Sequence, residues 1–216
     1  IVVNSVNTAW QPTAFKLLEE NRKDGIEYIM RSFNDFAMLF IPIYIILSLV
    51  VTVVITYFLP VDYNVLIKFV PIALGAYLFR LVYCFNTTLL FFDKKTALIP
   101  KVTLIAGVLN VVGVYFLCVY IGFSAAIYSF FVSLMFMAIF FTVYNKIVYR
   151  IGDEVYSLII VLIVVFSLSM IINMTSPEFV WLAYVLFFIS CMLFLYKNNR
   201  SEMFLKLFNA FLRRVK

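Results

Sequence analysis

One charged side chain stands in the middle of an apolar run that is long enough to cross a membrane. It is Arg80, near the centre of residues 65–92. A guanidinium at that depth in a bilayer costs from roughly 2.5 to well over 10 kcal/mol unless protein, water or a ligand compensates it. At about 100° per residue, it shares a helix face with small or polar side chains: Ala73, Ala76, Cys84 and Thr87. Two interpretations stay open, a cavity face beside which an anionic group binds and a buried arginine paired with a carboxylate or with carbonyls on another helix.

Two other apolar segments carry polar residues at helical spacing. In residues 1–18, four side chains at i, i+3, i+4 and i+7 form a stripe: Asn4, Asn7, Thr8 and Gln11. In residues 102–121, Asn110 shares a face with Thr103, Ala106, Gly107 and Gly113. Such amides can line a polar cavity, or they can join helices for about 0.6 kcal/mol each, and small residues allow close packing. The candidate substrate-binding residues are therefore Arg80, Asn4, Asn7, Gln11, Thr87 and Asn110.

The residue types exclude most kinds of catalytic and metal-binding sites. The chain has no histidine, and its three cysteines, Cys84, Cys118 and Cys191, all lie inside apolar runs without a CxxC spacing. Sites that need histidine, such as Ser-His triads and zinc-His centres, cannot be built from this chain alone. We therefore predict no catalytic residue, no metal site and no cofactor, and a protein that is not an enzyme.

The amino-acid composition indicates the class of protein. Of 216 residues, 65% are hydrophobic and 13% are charged, with a mean hydropathy of +1.07, far from the roughly 45 to 50% apolar and 25% charged of soluble domains. The apolar runs are continuous and reach the roughly 20 residues that a membrane helix needs. We predict an all-α, polytopic membrane helix bundle with one partial transmembrane helix and six full ones: residues 1–18 (partial), then 36–58, 65–92, 102–121, 125–144, 155–172 and 177–196.

Two amphipathic segments flank these spans. Residues 16–35 are rich in charge but keep Ile26, Ile29, Met30 and Phe33 on one side, which predicts a helix lying at the membrane interface. Residues 199–216 combine an apolar face with basic side chains off it and predict a basic amphipathic tail on anionic headgroups.

The basic residues give the orientation. Of 17 Lys and Arg, four fall between the first and second helices, three between the third and fourth, two between the fifth and sixth, and six after residue 196. On the opposite side the only basic residue is Lys68, near the start of the third helix. The positive-inside rule therefore predicts these three loops and the C-terminus to be cytoplasmic. It also explains the net charge of +6 without nucleic acid, which needs a basic patch on a soluble face.

Three features together resemble a known family, the polysaccharide (O-antigen type) flippases of the multidrug/oligosaccharidyl-lipid/polysaccharide exporter superfamily. The first is a polar helix with Trp10-Gln11-Pro12, followed by a charged segment. The second is the passage from Phe58-Leu59-Pro60 with Tyr63 to Asp93-Lys94-Lys95. The third is Asn110, followed by Tyr120-Ile121-Gly122 and Ala125-Ala126. The resemblance covers most of residues 1–150.

The resemblance implies a fold and a function. The family has two six-helix bundles around a central cavity, so we expect residues 1–150 to be the C-terminal transmembrane bundle of such a transporter, beginning inside a helix. Residues 151–198 would then be two additional transmembrane helices, and 199–216 the cytoplasmic amphipathic basic tail. The implied function is flipping of an undecaprenyl-diphosphate-linked oligosaccharide across the bacterial inner membrane by alternating access, for surface polysaccharide biosynthesis, with Arg80 as a counter-charge.

The expected partners are the lipid-linked oligosaccharide, membrane lipids and other membrane proteins of polysaccharide assembly. Alternatives are a cation-coupled multidrug antiporter of the same superfamily, a membrane polysaccharide polymerase or glycosyltransferase, and a purely structural membrane protein. The antiporter needs an intramembrane carboxylate, whereas all acidic residues here lie near or beyond the ends of apolar runs.

Overall fold

A computed structural model of the chain describes residues 2–149 and, beyond them, 163–165, 167–169, 171–172, 182 and 184–189. Side chains are described from Gln11 onward, except at 30–31 and 34–39. The predicted tail at 199–216 and most of the predicted helices at 155–172 and 177–196 fall outside the described residues.

The described chain is helical, as predicted, and contains no strand. Its long helices are α1 (Val2–Glu20), α2 (Arg22–Phe58), α3 (Val70–Phe92), α4 (Leu98–Ile121) and α5 (Ser124–Tyr149), with a 3₁₀ helix at Val61–Phe69. Within the described residues, four stretches are long and apolar enough to cross a membrane: Phe40–Phe58, Val61–Phe92, Leu98–Ile121 and Ser124–Tyr149. These confirm a multi-pass membrane protein, and the larger number of spans stays a prediction.

The prediction of a separate interfacial helix over residues 16–35 is wrong. α1 continues to Glu20, Asn21 adopts an extended conformation and accepts a hydrogen bond from the Lys23 backbone N–H at 3.1 Å, and α2 then runs unbroken to Phe58. At the crossing of α1 and α2, a Cβ on Gly25 would lie 2.7 Å from the Leu18 backbone. Only a glycine permits this approach, which brings the two helices together as a tight hairpin.

The apolar face of this segment is covered by protein. Ile29 and Phe33 are each only 1% exposed, and the Phe33 ring packs edge-on against Phe85 of α3 at 5.6 Å. Farther along α3, Phe92 meets Phe15 of α1 at 5.9 Å. The segment therefore has the predicted apolar face, but this face is buried against α1 and α3 and does not lie on the membrane surface.

Helix α3 lies at the centre, in contact with α1, α2 and α5. It begins at Val70, five residues after the predicted start, because the preceding residues form the 3₁₀ helix. Pro71 stands in the first turn, where its missing N–H costs no helical hydrogen bond. The Tyr44 hydroxyl of α2 donates to the Pro71 carbonyl at 2.9 Å and links the two helices in the interior.

Helices α4 and α5 form the predicted antiparallel pair. Gly122 joins them with φ +58°, in the left-handed region that favours glycine. Ala106 is 3% exposed, and a Cβ on Gly113 would lie 2.7 Å from Ser129 Oγ, so small residues do allow close packing here. Gly107, from the same predicted face, has open space around it. The rest of α4 is largely exposed, as expected of a helix that packs mainly against one neighbour.

Cross-contacts confirm that the basic loops share one end of the bundle. Arg22 Nη2 and the Tyr149 hydroxyl both reach Asp93 Oδ2, so the α1/α2 junction and the C-terminal ends of α3 and α5 meet. At the other end, Phe69 packs edge-on against Tyr128 of α5 at 6.1 Å. Which end is cytoplasmic stays a prediction from charge.

The described parts of 163–189 are helical and pack on this bundle. A Cβ on Gly75 of α3 would lie 2.6 Å from Val165 Cγ1. The Thr52 hydroxyl of α2 donates to the buried Tyr184 hydroxyl at 3.3 Å. Ser48, fully buried one turn earlier in α2, lies beside the hydroxyls of both Tyr44 and Tyr184.

Candidate functional site

Arg80 lies at mid-depth in the central helix. It stands 10 residues after Val70 and 12 before Phe92, the two ends of α3, which corresponds to about 15 to 18 Å along the axis from each end. Its neighbour Phe79 is completely buried, and so is Val82, yet Arg80 itself is exposed. The guanidinium therefore projects away from the described bundle.

No carboxylate among the described residues forms an ion pair with Arg80. The described ion pairs lie near the basic end of the bundle and involve Glu20 and Asp93. The structure therefore offers no support, within the described residues, for the interpretation of a buried ion pair.

Only part of the predicted face of α3 is accessible. Arg80 is exposed and Ala73 and Cys84 are half-buried, and we call this side the exposed sector of α3. The other two residues of the predicted face are buried, since Ala76 is 0% exposed and Thr87 is 2% exposed. The Thr87 hydroxyl donates to the Cys84 carbonyl at 3.0 Å, so it does not line the sector. Relative to the predicted face, the sector is rotated by about 30°. The reason is that the bundle covers one edge of the predicted face and leaves the other edge free.

The free edge carries Tyr77, a residue that the polar pattern did not single out. Its side chain is 49% exposed, and its ring meets Phe130 of α5 edge-on at 6.0 Å. Tyr77 precedes Arg80 by three residues, so the two side chains are neighbours on the helix surface. The same spacing rule applied to aromatic residues would have marked Tyr77 as a neighbour of Arg80, but not that the bundle leaves it exposed.

The remaining candidates are not brought to Arg80 by any described contact. Gln11 is half-buried in α1, and Asn110 is half-buried in α4. Asn4 and Asn7 lie in α1, but their side chains are outside the described residues. On the face that Asn110 was predicted to share, the Thr103 hydroxyl donates to the Ile99 carbonyl at 2.9 Å. The contribution of these amides to a binding site stays a prediction.

A second charged group occupies the end of α3. Asp93 Oδ2 accepts hydrogen bonds from Arg22 Nη2 at 3.0 Å and from the Tyr149 hydroxyl at 2.8 Å, with Lys95 Nζ at 3.9 Å. Arg22 and Lys95 also lie over the Tyr149 ring, 5.9 and 6.0 Å from its centroid. Burial raises the pKa of Asp93, but the two hydrogen bonds and the two cations outweigh it and hold the pKa below its usual value. We call these four residues the Asp93 cluster.

The described residues define a helical, multi-pass membrane protein with an exposed arginine halfway along its central helix. No family model, curated protein or solved structure matches the chain.

Proposed function

We propose that the protein takes part in flipping an undecaprenyl-diphosphate-linked oligosaccharide across the bacterial inner membrane, and that Arg80 binds the diphosphate during the passage. The observation that carries the proposal is an exposed guanidinium at mid-depth in α3 with no carboxylate partner among the described residues. Intramembrane charges of this kind usually mark functional sites, among them substrate pathways.

The chemistry of the guanidinium suits a diphosphate. Arginine stays charged and presents a planar fork of donors that matches phosphate oxygens in bidentate geometry. Outside bulk water this attraction is strengthened because the effective dielectric constant falls. An anionic headgroup would therefore offset the cost of holding Arg80 at mid-depth, and Arg80 would lower the barrier to moving that headgroup across the hydrocarbon.

The architecture that we propose follows the resemblance. About six full spans and a partial one would form one half of a two-bundle transporter with a cytoplasmic C-terminus, and the exposed sector of α3 would face the central cavity. Asn4, Asn7, Gln11 and Asn110 are candidates for hydrogen bonds to sugar hydroxyls. Thr87 is left out, because its hydroxyl is buried and engaged by the Cys84 carbonyl.

A multidrug antiporter is less well supported by the same site. Cationic drugs would meet a positive charge at mid-depth. In the four candidate spans the only carboxylate is Asp62, in the first turn of the 3₁₀ helix.

The test is glycan export together with the level of folded protein in Arg80 variants. We expect Arg80→Ala to reduce export at least about tenfold, which corresponds to about 1.4 kcal/mol of lost binding to the moving headgroup, with folded protein retained. Arg80→Lys keeps the charge without the fork and should export at an intermediate level. Lys68→Ala, which removes an exposed cation before α3, is the matched control and should export normally.

The two outcomes that would overturn the proposal are distinct. Normal export by Arg80→Ala would remove Arg80 from the pathway. Loss of folded Arg80→Ala protein would instead indicate a structural ion pair, since removing one partner of a buried pair costs roughly 3 to 5 kcal/mol.

A further inference from the structure

Lys94 has a backbone conformation that usually belongs to glycine. Its φ is +56°, and it is the only non-glycine residue with a positive φ among those that the structure describes. The Lys94 N–H donates to the Phe91 carbonyl at 3.2 Å, and the Lys95 N–H donates to the Leu90 carbonyl at 2.9 Å. This pair of hydrogen bonds forms a Schellman motif, whose left-handed position is most often glycine. A lysine costs backbone energy there, and such costs are concentrated at functional sites.

The connection between α3 and α4 carries uncompensated positive charge. Residues 93–101 contain three lysines, at 94, 95 and 101, and a single carboxylate. That carboxylate, Asp93, is already held by the other three members of the Asp93 cluster. Lys94 and Lys101 are exposed, and neither takes part in the ion pairs found within the described part of the chain. Their charges are therefore available to an anion.

These lysines lie at the level where a membrane span gives way to lipid headgroups. α3 ends at Phe92 and α4 begins at Leu98, and both helices belong to stretches that are long and apolar enough to cross a membrane. The connection is therefore at the boundary of the hydrocarbon. Basic side chains at this boundary attract anionic headgroups.

An exposed apolar face of α4 continues from Lys101 into the membrane span. Lys101 is the fourth residue of α4, whose first turn contains no acidic side chain. Leu104, Ile105 and Val108 follow it at i+3, i+4 and i+7, so they share its face, and all three are exposed. This face of α4 thus combines a cation at the headgroup level with apolar side chains at the depth of acyl chains.

We propose that the α3/α4 connection binds an anionic phospholipid, with the phosphate attracted by Lys94, Lys95 and Lys101 and an acyl chain on the exposed face of α4. The ammonium group of lysine binds phosphate as a point charge. Its attraction extends over a Debye length of about 8 Å at physiological ionic strength, so the three lysines need not contact the same oxygen.

The apolar face selects a lipid over other anions. A free phosphate or an acidic protein would use the three cations but would leave the side chains of α4 uncovered. A zwitterionic lipid would cover the side chains but would bring no net charge to the lysines. The inference does not rest on the proposed function, because it concerns the opposite end of α3 from the 3₁₀ helix and does not involve Arg80.

The first experiment is a titration of the purified full chain in nonionic detergent with phosphatidylglycerol or with phosphatidylcholine of the same acyl chains. A ligand that binds the native state raises Tm. We expect a saturable rise with phosphatidylglycerol and a smaller one with phosphatidylcholine. Inorganic phosphate and glycerophosphoglycerol, the headgroup without chains, should leave Tm unchanged. Equal curves for the two lipids, or an equal rise with inorganic phosphate, would overturn the proposal.

Lys94→Gly separates lipid binding from stability, because the two should change in different directions. Glycine removes the backbone cost of the left-handed position, so Tm without added lipid should stay equal or rise. Loss of one charge near the membrane surface should weaken phosphatidylglycerol binding about fivefold. Lys94→Arg keeps the charge and should bind as the wild type does. Unchanged affinity in Lys94→Gly would contradict the proposal, and a lower Tm without lipid would make Lys94 a structural residue instead.

A double variant and a control locate the site. Lys94→Gly combined with Lys101→Ala should weaken phosphatidylglycerol binding about 25-fold if the two charges act independently. Lys68→Ala removes an exposed lysine at the opposite end of the bundle and should bind the lipid as the wild type does. Equal losses in Lys68→Ala and Lys94→Gly would show a general attraction to net charge and would overturn the assignment to the α3/α4 connection.

Discussion

Two charged side chains of the central helix, Asp93 and Arg80, differ in their contacts and in their exposure. Asp93, at the end of α3, is held by two hydrogen bonds and two cations, and its side chain is only 11% exposed. Arg80, at mid-depth, is exposed and forms no ion pair with a described residue. At the end of the helix, partners from other parts of the chain are within reach, so the charge of Asp93 can contribute to stability. At mid-depth no described carboxylate reaches Arg80, so its charge can bind a ligand.

The largest expected effect is therefore a difference in stability between two alanine variants. Asp93→Ala leaves the Tyr149 hydroxyl and Arg22 without their acceptor and should lower the free energy of unfolding by about 1 to 3 kcal/mol. Arg80→Ala should change it by less than about 0.5 kcal/mol, because it breaks no described pair. Thermal unfolding in detergent measures both. Asp62→Ala, an exposed carboxylate at the opposite end, is the control for Asp93. If Arg80→Ala were less stable than Asp93→Ala, Arg80 and not Asp93 would be the charge that stabilises the fold, which would contradict the comparison.

The effect of pH should depend on Asp93. Its pKa in the folded protein is held below the ordinary value, which is about 3.9 in an unfolded chain. A lowered pKa stabilises the folded state in full above the unfolded value, and this stability is lost as the pH falls from about 4 through the folded pKa. The difference in Tm between the wild type and Asp93→Asn should thus be constant at neutral pH and shrink in acid. A difference that did not shrink would show that the charge of Asp93 does not matter.

A smaller effect isolates one hydrogen bond of the Asp93 cluster. Tyr149→Phe removes the hydroxyl that reaches Asp93 at 2.8 Å but keeps the ring over which Arg22 and Lys95 lie. We expect a loss of about 1 kcal/mol in the free energy of unfolding. Tyr115→Phe, at a side chain that is 74% exposed, should be neutral. A neutral Tyr149→Phe would assign the stability of the cluster to the cations alone.

The smallest effect is expected at Lys95. Its ammonium lies 3.9 Å from Asp93 and its side chain is 53% exposed, so water and salt screen the pair. Lys95→Ala should cost less than about 0.5 kcal/mol in chemical denaturation. A cost equal to that of Tyr149→Phe would mean that Lys95, and not the hydroxyl, dominates the cluster.

Much of the fold was predictable from the sequence, because long apolar runs permit only helices in a membrane. The predicted ends at Phe58, Phe92 and Ile121 coincide with the observed ends, since prolines, charges or glycine follow them. The start of α3 was less predictable, because apolar residues of a 3₁₀ helix resemble those of an α-helix. The amphipathic segment at residues 16–35 was misplaced for a related reason. Periodicity reveals an apolar face but not whether lipid or protein covers it.

The candidate site was likewise predictable from the sequence only in part. Arg80 is conspicuous in the sequence because its charge is expensive at mid-depth. Tyr77 was missed, and Thr87 was included, because the orientation of a helix face depends on which neighbours cover its edges. The Asp93 cluster joins residues up to 71 positions apart in the chain, and Asn86 and Asn145, which are hydrogen-bonded to each other in the interior, are 59 apart. No local pattern could indicate these contacts.

The sequence by itself determined the membrane class, the helical structure, the grouping of the basic loops and the unusual depth of Arg80, because each follows from local composition and the cost of exposing charge or backbone to lipid. Only the tertiary structure decided that the segment after Asn21 packs against α1 and α3, that the exposed sector of α3 turns toward Tyr77, and that Asn86 and Asn145 meet in the interior. These properties depend on which helices meet and at what register, and packing between distant parts of the chain determines both.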